Sequence, residues 1–518
     1  MAGWQRKTII MTGGTKSSIE PVAQESMYPG SLIDSLNVES GEEGGYSRLK
    51  GYEKYDATEV AGTGIILGAF VYNNGVVACR GTDVFFGTGT GWGSAINPST
   101  RTGATTYQAT KYTWGTTERI VLMDGVNKPM KYDGTTGTDL SNAQAGATCG
   151  IDFKNHLFLG VGGTLYFSAP NDDTVYTSGA GGGALVIGDT ITALAVWRQS
   201  LYVFCSTSIH KITGQNATDF AEDPVTEELG CEHGLTVKEV AGDLFFLSTD
   251  GIRTISGTEE SGDIALDSIS ETLKTDAKSL HTTFDSGVIS AIVVAAKGQY
   301  RLFGYDTTLG TTESLDGINV CLTKDLQGQP QISMFKLKGL YVTSGDSDLV
   351  SGVEMVVHGG GTSGYIFRQE TGDNFDGGAI EAFVQTPYLV FDDPILRKTI
   401  HRLTVHATAE SSTRVDLTAQ LYLNDNDASI VQPTSVQPAS VTLSSTTAST
   451  VSIYGFTGGT AGGSLYGTAV YGQGVSPKYR AYPAGSGENI SIKLSSNDTL
   501  PAWAIKTLII EYELGDAI

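Results

Sequence analysis

Positive charge is scarce in this sequence. The 518 residues contain 33 Lys and Arg against 56 Asp and Glu, which gives a formal net charge of −23 and a sequence pI of about 4.6. Because phosphate binding requires clustered Lys and Arg, this composition excludes a protein that coats nucleic acid. An acidic wall could still surround a duplex without holding it, since it repels phosphates and leaves the duplex free to slide. The alternative is that the acidity only keeps a large β protein soluble.

Cysteines and long apolar runs are also few. No pair of cysteines forms a CxxC motif, which argues against a disulfide framework or a zinc knuckle. The apolar part of the N-terminus is too short for a secretory signal, and the longest apolar run, 287–296, is far below the roughly 20 residues of a membrane helix. We therefore expect a chain made and folded in a reducing cytoplasm, with Cys79 and Cys205 as core residues. The five cysteines are Cys79, Cys149, Cys205, Cys231 and Cys321.

Catalytic and ligand-binding motifs are missing as well. There is no G-x-S-x-G elbow and no GK[ST] phosphate loop, and the seven histidines show no HExxH or other metal-ligand spacing. The G-x-G-x-x-A spacing at 179–184 precedes a strand-like run, where no helix N-terminus would hold phosphate. The turn 248–254 lacks the Trp of sialidase repeats, and the NDND run at 424–427 is too short for an EF-hand and fits a hairpin turn. We predict a non-enzyme with no catalytic, cofactor-binding or metal residues and no cofactor.

What the sequence does contain is the signature of short strands and tight turns. Gly accounts for 66 residues and Tyr for 23, while charged residues make up only 17%. Hairpin-like patterns begin at residues 73, 118, 154, 198, 242 and 297, about every 40 to 45 residues, which is typical of propeller blades. Dipeptides that tolerate positive φ mark their turns. These are Asn74-Gly75, Asp124-Gly125, Asp133-Gly134 and Asp250-Gly251.

The predicted fold class is all-β, a β-propeller with an antiparallel β-sandwich or platform domain. We expect an N-terminal arm at 1–58, the propeller at 59–345 and a connection at 346–385. The C-terminal sandwich, at 386–518, would carry a Ser/Thr- and Gly/Tyr-rich insertion and could include the arm. A long β-meander or stacked sandwiches remains the alternative to a propeller. The one helix candidate spans 267–276.

Residues 35–56 resemble the opening of the tail nozzle proteins of short-tailed bacteriophages, also called tail tubular protein B. The resemblance rests on five matching positions and extends to the strand patterns at 155–172, 199–214 and 230–257. It implies a structural virion protein, made in the host cytoplasm and located in the tail, that forms a ring through which DNA is retained and ejected. The matching positions are Asn37, Gly45, Arg48, Gly51 and Tyr52.

The resemblance also implies a set of partners. The ring would be a homo-oligomer of six copies, with the tail adaptor above it, tail fibres or spikes at its side and the host envelope at its distal tip. Double-stranded DNA would pass through without sequence-specific binding. A propeller lectin or glycosidase that acts on a host-surface polysaccharide is the alternative function.

The run GGYSRLKGYEKYD, at 44–56, places two cations beside two tyrosines just before the repeats. We interpret Arg48 and Lys50 as partners for acidic surfaces of a neighbouring subunit or of the adaptor, with Tyr46 and Tyr52 as apolar anchors. The alternative is that this segment is a strand of the C-terminal sandwich with solvated charges.

Overall fold

The fold is that of a computed structural model, which describes residues 4–41, 44–261, 268–309, 315–324, 328–391, 393–409, 416–426, 440–444, 478–483 and 485–517. Within these ranges the chain is mostly β-strand, so the predicted all-β class is confirmed. Contacts divide it into unit one (1–51, 321–337 and 371–518) and unit two (52–320 and 338–370). Apart from the short strand at 440–444, the predicted Ser/Thr- and Gly/Tyr-rich insertion lies outside the described residues.

The helices and strands are short and are numbered in chain order. The helices are α1 (Pro21–Met27), α2 (Ile255–Ser261) and α3 (Lys274–Phe284), and none of these described helices is long and apolar enough to cross a membrane. The strands up to residue 226 are β1 (Gln5–Ile10), β2 (Asp34–Leu36), β3 (Val38–Ser40), β4 (Tyr46–Arg48), β5 (Tyr52–Lys54), β6 (Ile66–Tyr72), β7 (Gly75–Arg80), β8 (Asp83–Gly87), β9 (Gln108–Thr113), β10 (Glu118–Met123), β11 (Met130–Tyr132), β12 (Gly137–Asp139), β13 (Cys149–Phe153), β14 (His156–Val161), β15 (Thr164–Phe167), β16 (Gly183–Val186), β17 (Ile191–Trp197), β18 (Ser200–Cys205), β19 (Ile209–Thr213) and β20 (Ala221–Thr226). The later strands are β21 (Lys238–Val240), β22 (Asp243–Ser248), β23 (Gly251–Thr254), β24 (Val288–Val294), β25 (Gln299–Tyr305), β26 (Gly317–Lys324), β27 (Pro330–Leu337), β28 (Val342–Val350), β29 (Val353–Gly360), β30 (Ile366–Gln369), β31 (Ile380–Gln385), β32 (Leu396–Ala409), β33 (Asp416–Leu423), β34 (Ser440–Ser444), β35 (Lys478–Ala481), β36 (Gly485–Gly487), β37 (Ile490–Asp498) and β38 (Trp503–Ala517).

Unit two is a series of small antiparallel sheets. The first five predicted hairpins are present as β7–β8, β10–β11, β14–β15, β18–β19 and β22–β23. In chain order the sheets of unit two are β6-β7-β8, β9 to β12, β13 to β16, β17 to β20, β21-β22-β23, β24-β25 with the start of β26, and β28-β29-β30 with β5. Each sheet is too small to bury its own apolar faces, so neighbouring sheets must share core.

The sheets of unit two contact one another in a closed order. The first strands β9, β13 and β17 pack in sequence, the turn at 234–236 lies between β17 and β24, and β28 packs against both β24 and β6. The first two sheets share a core, and the Tyr107 amide donates to the Leu67 carbonyl at 3.1 Å. The succession of sheets therefore returns to its starting point. The final sheet is completed by β5, whose Tyr52 lies opposite Gln369.

Several details of the sequence prediction are corrected. The 346–385 segment is no connection: it contains the rest of β28, all of β29 and β30, and β31. The arm does not end at residue 58, because β5 belongs to the closing sheet. The first hairpin turns at Asn73 and Asn74, with φ of 45° and 58°, while Gly75 is already in the strand. Helix α3 runs to Phe284, beyond the predicted 267–276, and Asp267 lies outside the described residues.

Unit one is a sandwich of two antiparallel sheets built from both parts of the chain. One sheet has the order β3-β4-β38-β32-β35, with β1 on β38 and β36 on β32; the other has the order β2-β31-β37-β33-β34. Alternating side chains such as Val405, Ile510 and Leu494 enter one core shared by both sheets. The N-terminal strands thus belong to the C-terminal sandwich.

Asn37 is the point at which the chain changes sheets. It separates β2, which pairs with β31, from β3, which pairs with β4. Its φ of 49° is a left-handed conformation that Asn tolerates better than most residues. Its side-chain amide donates to the Glu381 carbonyl at 2.9 Å, which fixes the corner inside the core.

Candidate functional site

Two of the four predicted contact residues are buried within unit one. Tyr46 is 1% exposed, and its hydroxyl accepts a hydrogen bond from the Gly14 amide and donates one to the Gly30 carbonyl, both at 3.0 Å. Burial raises the pKa of Tyr46 far above its ordinary value. Its ring also packs edge-on against Phe335. Tyr46 is therefore a core residue, and the prediction that it anchors a neighbouring subunit is wrong.

Arg48 is fully buried and already has partners in its own chain. Its Nη1 donates to Asp498 Oδ1 at 2.8 Å, and its Nη2 donates to the carbonyls of Asp373, at 3.1 Å, and of Leu500. These contacts join β4 to the end of β37 and to the loop before β38. The contact hypothesis is wrong for Arg48 too. The alternative, a strand of the C-terminal sandwich, is correct for β4, except that the charge is paired and not solvated.

Lys50 and Tyr52 are half-buried. The Tyr52 hydroxyl donates to the Gly339 carbonyl at 3.2 Å, and its ring meets His358 and Phe367 edge-on, with centroids 5.1 Å apart in each pair. Tyr52 therefore stabilises the closing sheet of unit two. The structure does not bring the four residues together as one surface patch.

A different feature, the polar interior of unit two, is a concave site in the described residues. Two adjoining cavities of about 240 and 310 Å3 lie along the first strands of the sheets. They share Gln108, Gly234 and Leu235 in their walls. The Gln108 amide donates to the Thr192 carbonyl at 2.8 Å, which links β9 to β17. A Cβ on Gly234 would lie 2.0 Å from the same carbonyl, so glycine is required where this wall is closest.

The larger cavity contains charges of both signs. Lys111 Nζ lies 3.8 Å from Asp346 Oδ2 and also contacts Asp348. Burial acts to lower the pKa of Lys111, but the two carboxylates outweigh it and raise that pKa above its ordinary value. Burial lowers the pKa of Lys238, against the opposing effect of Asp346. The Asp346 carboxylate also accepts from the Val71 amide at 3.0 Å, so it ties β28 to β6.

The dimensions of this interior limit what it can admit. The larger cavity has a volume of about 310 Å3, enough for a small cluster of water molecules. A DNA duplex, whose major groove alone is about 12 Å wide, cannot pass through it. The interior can hold water or a small polar solute, held by backbone carbonyls and by Lys111, Lys238 and Asp346.

The sequence did not reveal these cavity residues. Lys111, Lys238 and Asp346 are separated by more than a hundred residues each, and each stands in an ordinary alternating strand. The only usable signal was the period of the hairpins, which predicts that the first strand of each repeat faces a common interior.

Comparisons with known proteins give only distant likenesses. Neither a family model nor a curated protein sequence matches the chain. Two structures of the extracellular domain of a B. thetaiotaomicron two-component or one-component system cover 62% of this chain at 9% identity, with TM-scores of 0.37 and 0.36. This chain spans about two fifths of their length (39% and 40%). BBS1N, solved in complex with ARL6DN, covers 39% of this chain and 72% of its own, at 12% identity and a TM-score of 0.26. At such TM-scores these likenesses carry no argument about function.

Proposed function

We propose that this protein is a structural subunit of a bacteriophage tail nozzle, a homo-oligomeric ring through which DNA is retained and ejected. The observation that carries the proposal is the architecture: strands from both parts of the chain build one sandwich, while the middle of the chain forms a closed succession of small sheets. A propeller with such a platform is what the resemblance to nozzle proteins implies. The protein would reside in the virion tail after synthesis in the host cytoplasm.

The middle unit, under this proposal, is a seven-bladed β-propeller. The support is the cyclic order of contacts among its seven small antiparallel sheets. The last sheet takes β5 from the beginning of the unit, which joins the two ends of the series by backbone hydrogen bonds. Closure of this kind protects the edges of the sheets and makes a rigid wall element.

The passage for DNA would lie between subunits. The interior of unit two is too narrow for a duplex, so only a ring of several copies could enclose one. The formal charge of −23 per copy gives such a ring a wall that repels phosphate. DNA would then slide without sequence-specific contacts, and the adaptor, fibres or spikes and host envelope would meet the outer surfaces of the ring.

Exposed apolar side chains near the N-terminus supply contact area for ring formation. Trp4, Ile10 and Met27 are all more than half exposed, although they belong to unit one with its well-packed core. We assign this N-terminal group to the contact between neighbouring subunits.

Electron microscopy of the purified protein, alone and mixed with tail-less capsids that carry portal and adaptor, tests the proposal. We expect rings of six-fold symmetry that cap the capsids. Ile10→Asp should reduce ring formation without lowering the melting temperature, whereas Val186→Asp, at an exposed site in unit two, should leave rings intact. Monomers that ignore the capsids would overturn the proposal. Binding or cleavage of host glycans by such monomers would then identify the lectin or glycosidase alternative.

A further inference from the structure

Four side chains with metal-binding atoms meet at one edge of the interior of unit two. Glu232 and His233 are adjacent on the loop between β20 and β21, and both line the smaller cavity. His281 lies in the last turn of α3, and Asp285 is the residue that caps it. Residues four apart on a helix point to the same side, so His281 and Asp285 present their side chains together.

The distances among these groups fit a small coordination sphere. His233 Nε2 lies 3.6 Å from Asp285 Oδ1, and His281 Nε2 lies 3.5 Å from Glu232 Oε2. One ligand atom from each of the four lies within 4.8 Å of the others. A tetrahedral ion with bonds of about 2.0–2.2 Å separates its ligands by roughly 3.3–3.6 Å. The two measured pairs already have the spacing of tetrahedron edges.

We propose that Glu232, His233, His281 and Asp285 form a binding site for a divalent transition metal, with Zn2+ as the best match. Two imidazole nitrogens and two carboxylate oxygens make a donor set that suits zinc and its neighbours in the first row. Calcium and magnesium prefer six or more oxygen ligands, which this cluster does not offer among the described residues. The site is separate from the proposed ring contacts.

The surroundings of His233 also support this assignment. The backbone carbonyl of His233 accepts from both the amide and the hydroxyl of Thr236, at 2.9 and 2.7 Å, so the loop is held in place. His233 Nε2 is buried and faces the cluster, and its 3.6 Å contact with Asp285 Oδ1 is longer than an ordinary hydrogen bond. A buried nitrogen in that position is explained by a bound cation.

The dipole of helix α3 also favours a bound cation at this position. Its C-terminal end carries a partial negative charge from unsatisfied carbonyls, and the cluster lies at that end. A metal here would tie α3, which precedes β24, to the loop that leads into β21. Its effect is to fasten two neighbouring sheets of unit two at their shared edge.

The test uses the full chain, stripped with a chelator and titrated with zinc chloride in a calorimeter. We expect one Zn2+ per chain, a rise in melting temperature with zinc but not with excess magnesium, and a tetrahedral absorption spectrum when Co2+ replaces zinc. We expect Glu232→Gln and His281→Gln each to weaken zinc binding by more than roughly 10–100-fold. That is the loss caused by removing a residue that only positions a metal ligand, whereas these two residues would bind the metal directly. The control is His210→Gln, which breaks a His–Glu pair, at 2.6 Å to Glu222, elsewhere in the same unit.

Loss of zinc binding can be distinguished from a folding defect in each variant. The melting temperature of each variant is first measured without metal, and Glu232→Gln should match the parent because its side chain is exposed. Stoichiometric binding that survives His210→Gln and is lost in both ligand variants supports the site. Absence of zinc binding by the parent, or equal binding by the parent and Glu232→Gln, would overturn it.

Discussion

Replacing Arg48 by Met separates a core role from a surface role for this residue. Met keeps much of the side-chain volume but removes the guanidinium that donates to Asp498 and to the carbonyls of Asp373 and Leu500. Breaking a buried ion pair by removing one partner costs about 3–5 kcal/mol. Because the Asp498 side chain keeps 22% of its exposure and hence some hydration, we expect the lower end of that range, about 3 kcal/mol.

Differential scanning calorimetry measures this loss. In a unit of about 150–250 residues, 1 kcal/mol shifts the melting temperature by about 2–4 °C, so the transition of unit one should fall by roughly 6–12 °C. The matched control is Arg6→Met in the same sheet, where the Arg6 side chain is 63% exposed and pairs with Glu511 at 3.1 Å. Because the Arg6 side chain lies mostly in solvent and Glu511 keeps Arg402 as a partner, the loss should be less than about 1 kcal/mol. If Arg48→Met is no more destabilising than Arg6→Met, the conclusion that the buried Arg48 stabilises unit one through its ion pair is refuted.

Two further changes test the packing and the acid response. Hydrogen bonds from the Thr207 amide and three hydroxyls outweigh the effect of burial and hold the pKa of Asp189 well below its usual range. The Asp189 carboxylate therefore stabilises the folded state above the unfolded pKa of about 3.9, and this stabilisation is lost as the pH falls towards the folded pKa. Asp189→Asn should therefore melt lower than the parent at pH 7, with a difference that shrinks below pH 4 in melting curves; a constant difference would contradict this. Gly51→Ala would place a Cβ 2.0 Å from the Asn374 carbonyl oxygen, and we expect urea titrations to show a loss of about 1–3 kcal/mol in the free energy of unfolding. Gly179→Ala is the control, because the space around Gly179 is open, and it should cost much less. Equal costs for the two variants would contradict the steric argument.

The repeating hairpins were predictable because their signals are local. Turn residues such as Asn73 and Asn74, and alternating apolar residues on either side, determine each hairpin within about 15 residues of chain. The last sheet escaped prediction for the opposite reason. Its strand β29 lies among glycine-rich turns, and its final strand, β5, comes from the other end of the unit, which no local pattern can indicate.

The candidate site was hardly predictable. A cation beside a turn, as at Arg48, ordinarily indicates solvent exposure. Nothing in the sequence near Arg48 indicates that Asp498 and Leu500, some 450 residues later, are its hydrogen-bond partners. The metal-binding group is divided between a Glu-His pair and a His-x-x-x-Asp helix end almost fifty residues later. Each half is common by itself, and only the fold brings Glu232 and His281 together.

The pairing of Tyr52 with Gln369 has a consequence for the order of synthesis. Strand β5 leaves the ribosome early but has no partner until β30 has been made, 317 residues later (369 − 52). At about 5–20 residues per second, that wait is roughly 16–60 s. During it the sheets from β6 onward can pack one by one, before β30 is available to pair with β5. The pairing of β5 with β30 is therefore a late step in the folding of unit two, and shortened chains that stop before Ile366 cannot complete it.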